Sequence, residues 1–189
     1  AEIIAGDDLR HDEIGDMACR RSVIQVVWSV PLFDAAFAHD ADDIGDGTWQ
    51  ARLALLLAVV TGLIVYVSLY PFRFVADGPA LVEALRSLSW ARAGRGDMFN
   101  NLLLYVPLGF CAALLLEPRW GRVTGIVAGT LLGAMLSLGL ELLQASVAIR
   151  VSSLRDLSLN ATGSLLGTVL GTVFHALGSR VSPQGTPRS

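Results

Sequence analysis

The chain has 189 residues, of which 53% are hydrophobic and 16% charged, and its net charge is −3. Residues 1–50 hold eleven acidic residues and three arginines, a net charge of −8, whereas the rest of the chain carries +5. The basic residues are not clustered as they are in a nucleic-acid-binding protein, so we expect no nucleic acid among the partners.

Residues 1–48 are predicted to form an acidic N-terminal region that is poorly ordered or lies on a surface. The apolar run at 23–33 contains Pro31 and is shorter than the roughly 20 residues that a membrane-spanning helix needs. The two cysteines, Cys19 and Cys111, do not have metal-ligand spacing, and the three histidines are isolated in the sequence. We therefore expect neither a metal nor a cofactor.

The remaining chain contains four long apolar stretches, each uncharged or interrupted by a single acid. They predict an all-α integral membrane protein with four transmembrane helices at 49–70, 98–116, 123–147 and 157–178. Pro71 ends the first helix, because proline disfavours helical backbone at the residue before it. The predicted membrane domain covers 49–178, and residues 179–189 form a C-terminal tail.

The loop between the first and second spans shows a helical pattern at 79–91. Leu81, Leu85 and Leu88 recur at steps of three and four residues, and Trp90 is an aromatic residue typical of headgroup depth. We predict an amphipathic helix lying on the membrane surface. An ordinary soluble loop helix is the alternative.

Polar residues within the apolar stretches are predicted to meet near one face of the membrane. With four alternating spans, the end of helix one, the start of two, the end of three and the start of four share that face. A carboxylate or amide in hydrocarbon is costly without a partner, so a convergent set indicates a functional site. Arg150, in the loop before helix four, is the predicted partner of Glu141. The residues of this set are Asn101, Glu141, Gln144, Asp156 and Asn160.

Helices three and four each carry small residues at every fourth position, which lets helix backbones approach closely. We expect these helices to pack against each other through them. The predicted packing glycines are Gly125, Gly129, Gly133, Gly163, Gly167 and Gly171.

Several of these segments together resemble the VanZ-like membrane protein family. They are SLYPFRF at 68–74, NLLLYVPLGF at 101–110, the Glu141–Gln144 pair, and Arg150 followed by DLSLNATGSLLG at 156–167. The resemblance implies a multi-pass protein of the bacterial cytoplasmic membrane. It also implies an envelope role, since the family is named for a member linked to low-level teicoplanin resistance. The family-type polar positions are Asn101, Glu141, Gln144, Arg150, Asp156 and Asn160.

Three functions are considered, of which we favour the first and keep the other two as alternatives. The first is binding of an amphiphile, either a lipid-linked wall precursor or a lipoglycopeptide, in a polar pocket beside membrane lipid. The second is an enzyme acting on a lipid-linked substrate with Glu141 or Asp156 as acid or base. The third is a structural scaffold within an envelope complex. The sequence assigns no catalytic residue, no membrane orientation and no oligomeric state.

Overall fold

A computed structural model describes residues 47–70, 72, 74, 79, 81–90, 95–145 and 153–181, together with Ser22 and Gln25. Four of the helices in these ranges are long and apolar enough to cross a membrane, which confirms the predicted all-α membrane fold. The helices are α1 Gly47–Leu69, α2 Leu81–Ser87, α3 Arg95–Trp120, α4 Arg122–Gln144 and α5 Leu154–Val181.

The observed helix ends differ from the predicted ones by up to four residues. The largest difference is in α3, which continues past Glu117 and Pro118 to Trp120 and also contains Pro107. Proline within a membrane helix is tolerated because neighbouring groups satisfy the backbone that it frees. At its C-terminal end, α5 continues into the predicted tail.

The central helix of the bundle is α3. In its membrane-spanning segment 61% of the residues are buried, against 28–33% in the other three helices. Its side chains Tyr105, Leu108 and Cys111 pack with Val60 and Ile64 of α1 in the main apolar core. Large apolar side chains on the outer faces remain exposed, as a lipid environment allows. They include Leu55, Val59, Leu131, Met135, Leu166 and Val169.

Close backbone approaches hold α5 in place. A methyl group added at Gly163 or Gly167 would overlap the carbonyl oxygen of Leu102 or Val106, so this glycine face of α5 contacts α3. We had expected the two glycine-rich faces to meet each other. The structure differs because the residues that follow these glycines, Ser164 among them, form the face of α5 that packs on α4.

On α4, glycines make room for the side chains of α5. A methyl group at Gly129 would overlap Thr168 Cγ2, and one at Gly133 would overlap the side chain of Ser164. Gly125 lies against the backbone of Glu117 in α3 instead. Helices α4 and α5 therefore do pack together, with glycine on one side of the interface and hydroxyl residues on the other.

The short helix α2 lies within the predicted 79–91 segment. Ala84 is buried, whereas Val82 and Leu85 are exposed. Just after α2, the carbonyl oxygen of Ser89 accepts a 3.0 Å hydrogen bond from the N–H of Leu154. This bond ties the loop to the start of α5, while a position of α2 on the membrane surface stays a prediction.

Three predictions fall mainly or wholly on parts of the chain that are not described, and one of them is the C-terminal tail at 179–189, of which only 179–181 are described. The acidic region at 1–48 lies outside the described residues except for Ser22, Gln25 and the first turn of α1. Arg150 also lies outside them, so its predicted contact with Glu141 stays a prediction.

Candidate functional site

The five polar residues of the predicted site that the structure describes lie around one small cavity. The start of α3, the end of α4 and the start of α5 meet at the same end of the bundle, where the end of α1 also lies. The cavity has a volume of about 20 Å³. It is lined by Ser68, Asn101, Tyr105, Ser137, Leu140, Glu141, Gln144, Asp156 and Asn160.

Glu141 is 4% exposed and is bound to the residue that precedes α5. Its Oε2 accepts a 2.7 Å hydrogen bond from the backbone N–H of Ser153. Ser153 in turn caps α5, since its Oγ accepts a 3.3 Å bond from the N–H of Asp156. A carboxylate at this place also benefits from the partial positive charge of a helix N-terminus. Local backbone geometry thus stabilises an acid in the bundle.

The amides of Gln144 and Asn160 connect α4 to two other helices. Gln144 Nε2 donates a 2.7 Å hydrogen bond to the carbonyl oxygen of Ser68, at the end of α1. Asn160 Nδ2 donates a 2.8 Å bond to Ser137 Oγ. The other polar atom of this amide, Asn160 Oδ1, is buried and has no hydrogen-bond partner within the described part of the chain.

The size and chemistry of the cavity define what it can receive. A buried polar atom without a partner costs about 1–3 kcal/mol by protein mutational data, so Asn160 Oδ1 favours a hydrogen-bond donor. About 10–15 Å³ suffices for one water molecule, so 20 Å³ accommodates one water or one ligand group of similar size. Because Glu141 and Asp156 contribute carboxylates, a hydroxyl, amide N–H or ammonium group fits best.

The sequence matches the family model described as VanZ/LLP1 over residues 46–175, which is more than half of the chain. The chain belongs to the VanZ/LLP1 family. Neither the curated proteins nor the solved structures gave a match.

The VanZ/LLP1 region contains the whole cavity, including lining residues that the sequence analysis did not assign to it. Tyr105 lies four residues after Asn101, and Ser137 lies four residues before Glu141, so each shares a helix face with a predicted residue. That spacing could have revealed both. Ser68 takes part through its backbone carbonyl, which no side-chain pattern indicates.

A second polar cluster of the VanZ/LLP1 region lies at the opposite end of the bundle. Glu117, at the end of α3, is 6% exposed. Its Oε1 lies 3.2 Å from Arg122 Nε and 3.4 Å from His175 Nδ1. His175 is isolated in the sequence, but the fold brings it beside Glu117. Counting helix ends predicts this cluster too, because the end of α3, the start of α4 and the end of α5 share one membrane face.

Groups of metal-binding side chains are a separate question. Among the described residues, no three or more His, Cys, Asp and Glu side chains are grouped as a metal site. The contacts observed within the two polar clusters are hydrogen bonds and ion pairs.

Proposed function

We propose that the cavity residues of this VanZ-like membrane protein bind the polar headgroup of an amphiphile at one membrane face. The observation that carries the proposal is the convergence of Glu141, Asp156 and Asn160 on one cavity, with Asn160 Oδ1 left to accept a hydrogen bond. Polar side chains in a membrane interior are costly and are functional by default.

The volume of the cavity limits how much of the ligand it receives. Because about 20 Å³ holds a single small group, the rest of the headgroup would lie outside the cavity. The group that enters would be a hydroxyl, an amide N–H or an ammonium. Lipid-linked wall precursors and lipoglycopeptides such as teicoplanin carry such donors next to an apolar chain, so we propose the bacterial cell envelope as the setting.

A structural scaffold is the second candidate function, and it rests on a different observation. Three of the polar residues already have structural hydrogen bonds. Glu141 binds Ser153 at the start of α5, while Gln144 and Asn160 join helices by bonding to Ser68 and Ser137 respectively. If these bonds were the whole role of the cluster, every disruptive substitution would lower the amount of folded protein. A binding role instead permits loss of function at normal abundance.

The test is teicoplanin susceptibility of a deletion strain complemented with wild type, Glu141→Gln, Asn160→Leu or the control Thr162→Ala. Thr162 is exposed on α5, and its hydroxyl bonds only its own helix, to the carbonyl of Ser158. We expect wild type and Thr162→Ala to lower susceptibility, and Asn160→Leu to lose this effect at normal membrane abundance. A wild type without any effect would exclude teicoplanin as the ligand.

Glu141→Gln separates binding from chemistry on a lipid-linked substrate. An amide at this position keeps an oxygen that can accept the Ser153 hydrogen bond but cannot take up a proton as a carboxylate does. Function that survives the substitution supports binding through hydrogen bonds. Complete loss in a normally abundant variant supports an acid–base role, which would make the protein an enzyme.

A further inference from the structure

The turn between α3 and α4 presents two arginines, Arg119 and Arg122, on either side of Trp120 and Gly121. Arg119 and Arg122 are both exposed, and Trp120 between them is 58% exposed. Tryptophan is enriched where a membrane protein meets the headgroup layer. One span, α3, ends at this turn and the next, α4, begins there. We therefore expect the guanidinium groups to lie at the depth of lipid phosphates.

Each guanidinium is held by a protein acceptor through one nitrogen. Arg122 Nε lies 3.2 Å from Glu117 Oε1, whereas the Arg122 side chain as a whole is 61% exposed. Arg119 Nη2 donates a 2.9 Å hydrogen bond to Gln50 Oε1 at the start of α1. Within the described part of the chain neither arginine has a further hydrogen-bond partner, so the remaining N–H groups are available to a ligand.

Glu117 and His175 fix the position of Arg122. The Glu117 side chain is 5% exposed, and His175 Nδ1 approaches the same Oε1 atom from α5 at 3.4 Å. An arginine bound in this way loses less side-chain entropy when it takes a ligand than a freely rotating one. One guanidinium group can bind two phosphate oxygens through parallel N–H bonds, which makes the interaction both strong and directional.

We propose that the α3–α4 turn binds the phosphate of an anionic phospholipid through Arg119 and Arg122, with Glu117 as a positioning residue. The partner is argued from charge complementarity, because two held guanidinium groups match a phospholipid whose headgroup as a whole carries a net negative charge. The N-terminus of α4 adds partial positive charge here, since Gly121 gives it no side-chain cap. The site lies at the membrane face opposite the polar cavity, so it is independent of the function proposed above.

The test is native mass spectrometry of the full chain purified from nanodiscs that contain phosphatidylcholine and phosphatidylglycerol together. We expect wild type to retain phosphatidylglycerol in preference, and Arg122→Gln and Arg119→Gln each to reduce that preference about fivefold, the worth of one arginine near an anionic surface. Arg86→Gln is the matched control, because Arg86 is exposed on α2, away from this turn. It should leave the preference unchanged.

Glu117→Gln tests the positioning role, since it leaves the number of arginines unchanged. We expect it to lower the preference for phosphatidylglycerol, and Arg122→Lys to do the same although its charge is kept. Helicity and elution volume of each variant are measured so that only folded protein is compared. Arg119→Gln serves if a variant at the buried Glu117 does not fold.

Three results would overturn the proposal. The first is an equal retention of both lipids by wild type. The second is a loss of preference in Arg86→Gln as large as in the Arg119 and Arg122 variants, which would indicate that the total positive charge of the protein and not this turn attracts the lipid. The third is displacement of phosphatidylglycerol by inorganic phosphate at matched concentration, which would make the site one for free phosphate and not for a lipid.

Discussion

The backbone N–H of Ser153 donates a 2.7 Å hydrogen bond to the carboxylate of Glu141, twelve residues earlier in the chain. An acid near the end of α4 is thereby bound to the residue that caps α5. Because the same side chain lines the polar cavity, the geometry of the cavity depends on how the loop returns to the membrane. Structural and functional roles of Glu141 are therefore linked, and variants must be chosen to separate them.

Replacing Glu141 by alanine should lower the free energy of unfolding by about 1–3 kcal/mol, because the Ser153 N–H loses its acceptor in a buried place. Glu141→Gln should lose less, since its amide oxygen can accept the same bond. Thermal or denaturant unfolding in detergent micelles measures the difference. Equal losses in the two variants would show that this hydrogen bond contributes little.

Asn160 and Ser137 should be energetically coupled through their 2.8 Å hydrogen bond. A double-mutant cycle with Asn160→Leu and Ser137→Ala should give a coupling of about 0.6 kcal/mol, the average for side-chain hydrogen bonds between membrane helices. A second cycle that pairs Ser137→Ala with Ser158→Ala is the control, since Ser158 is exposed and bonds the Leu154 carbonyl of its own helix. Coupling of the same size in both cycles would contradict the assignment.

Gly167 should not tolerate a larger side chain. Gly167→Ala places a methyl group on the Val106 carbonyl oxygen, and we expect a loss of about 1–3 kcal/mol or a lower membrane abundance, with Gly167→Leu more severe. Gly139→Ala is the matched control, because a methyl group there meets no atom within 4 Å. If Gly167→Ala is as abundant and as stable as Gly139→Ala, the close contact of α5 with α3 is not required.

Ser153 should contribute to stability through its hydroxyl as well as its backbone. Ser153→Ala removes the acceptor for the Asp156 N–H and should cost about 0.5–2 kcal/mol, the usual range for an N-cap. Ser153→Thr keeps a hydroxyl and should stay close to wild type. Both variants keep the hydrogen bond from the backbone N–H of residue 153 to Glu141. The difference in their free energies of unfolding therefore measures the contribution of the capping hydroxyl alone.

Most of the fold follows from the spacing of charged residues. Stretches of about 20 residues between charges predicted the four spans, and topology then predicted that Asn101, Glu141 and Asp156 would be near each other, as the cavity lining shows. Counting helices is sufficient here because successive spans cross the membrane in alternating directions, so that it is known which helix ends share a face. The functional role of these residues stays a prediction.

Other features depend on contacts that a sequence pattern does not specify. The predicted second span ends at residue 116, whereas α3 also contains Glu117, which is buried beside His175. The pairing of glycine faces was predicted from periodicity, which gives the face of a helix but not the neighbour that the face meets. The turn from Ser153 into α5 depends on backbone hydrogen bonds that have no sequence signature beyond the capping serine.

The central position of α3 has a consequence for how the protein is made. Its closest partner, α5, is the last of the four spans to leave the ribosome and the least hydropathic of them. Until α5 arrives, Leu102 and Val106 on α3 lack the glycine face that packs on their carbonyl oxygens, and Ser137 lacks its bond to Asn160. Correct placement of α5 would thus depend on helices already in the bilayer, and a chain cut short after Gln144 would lack all of these contacts.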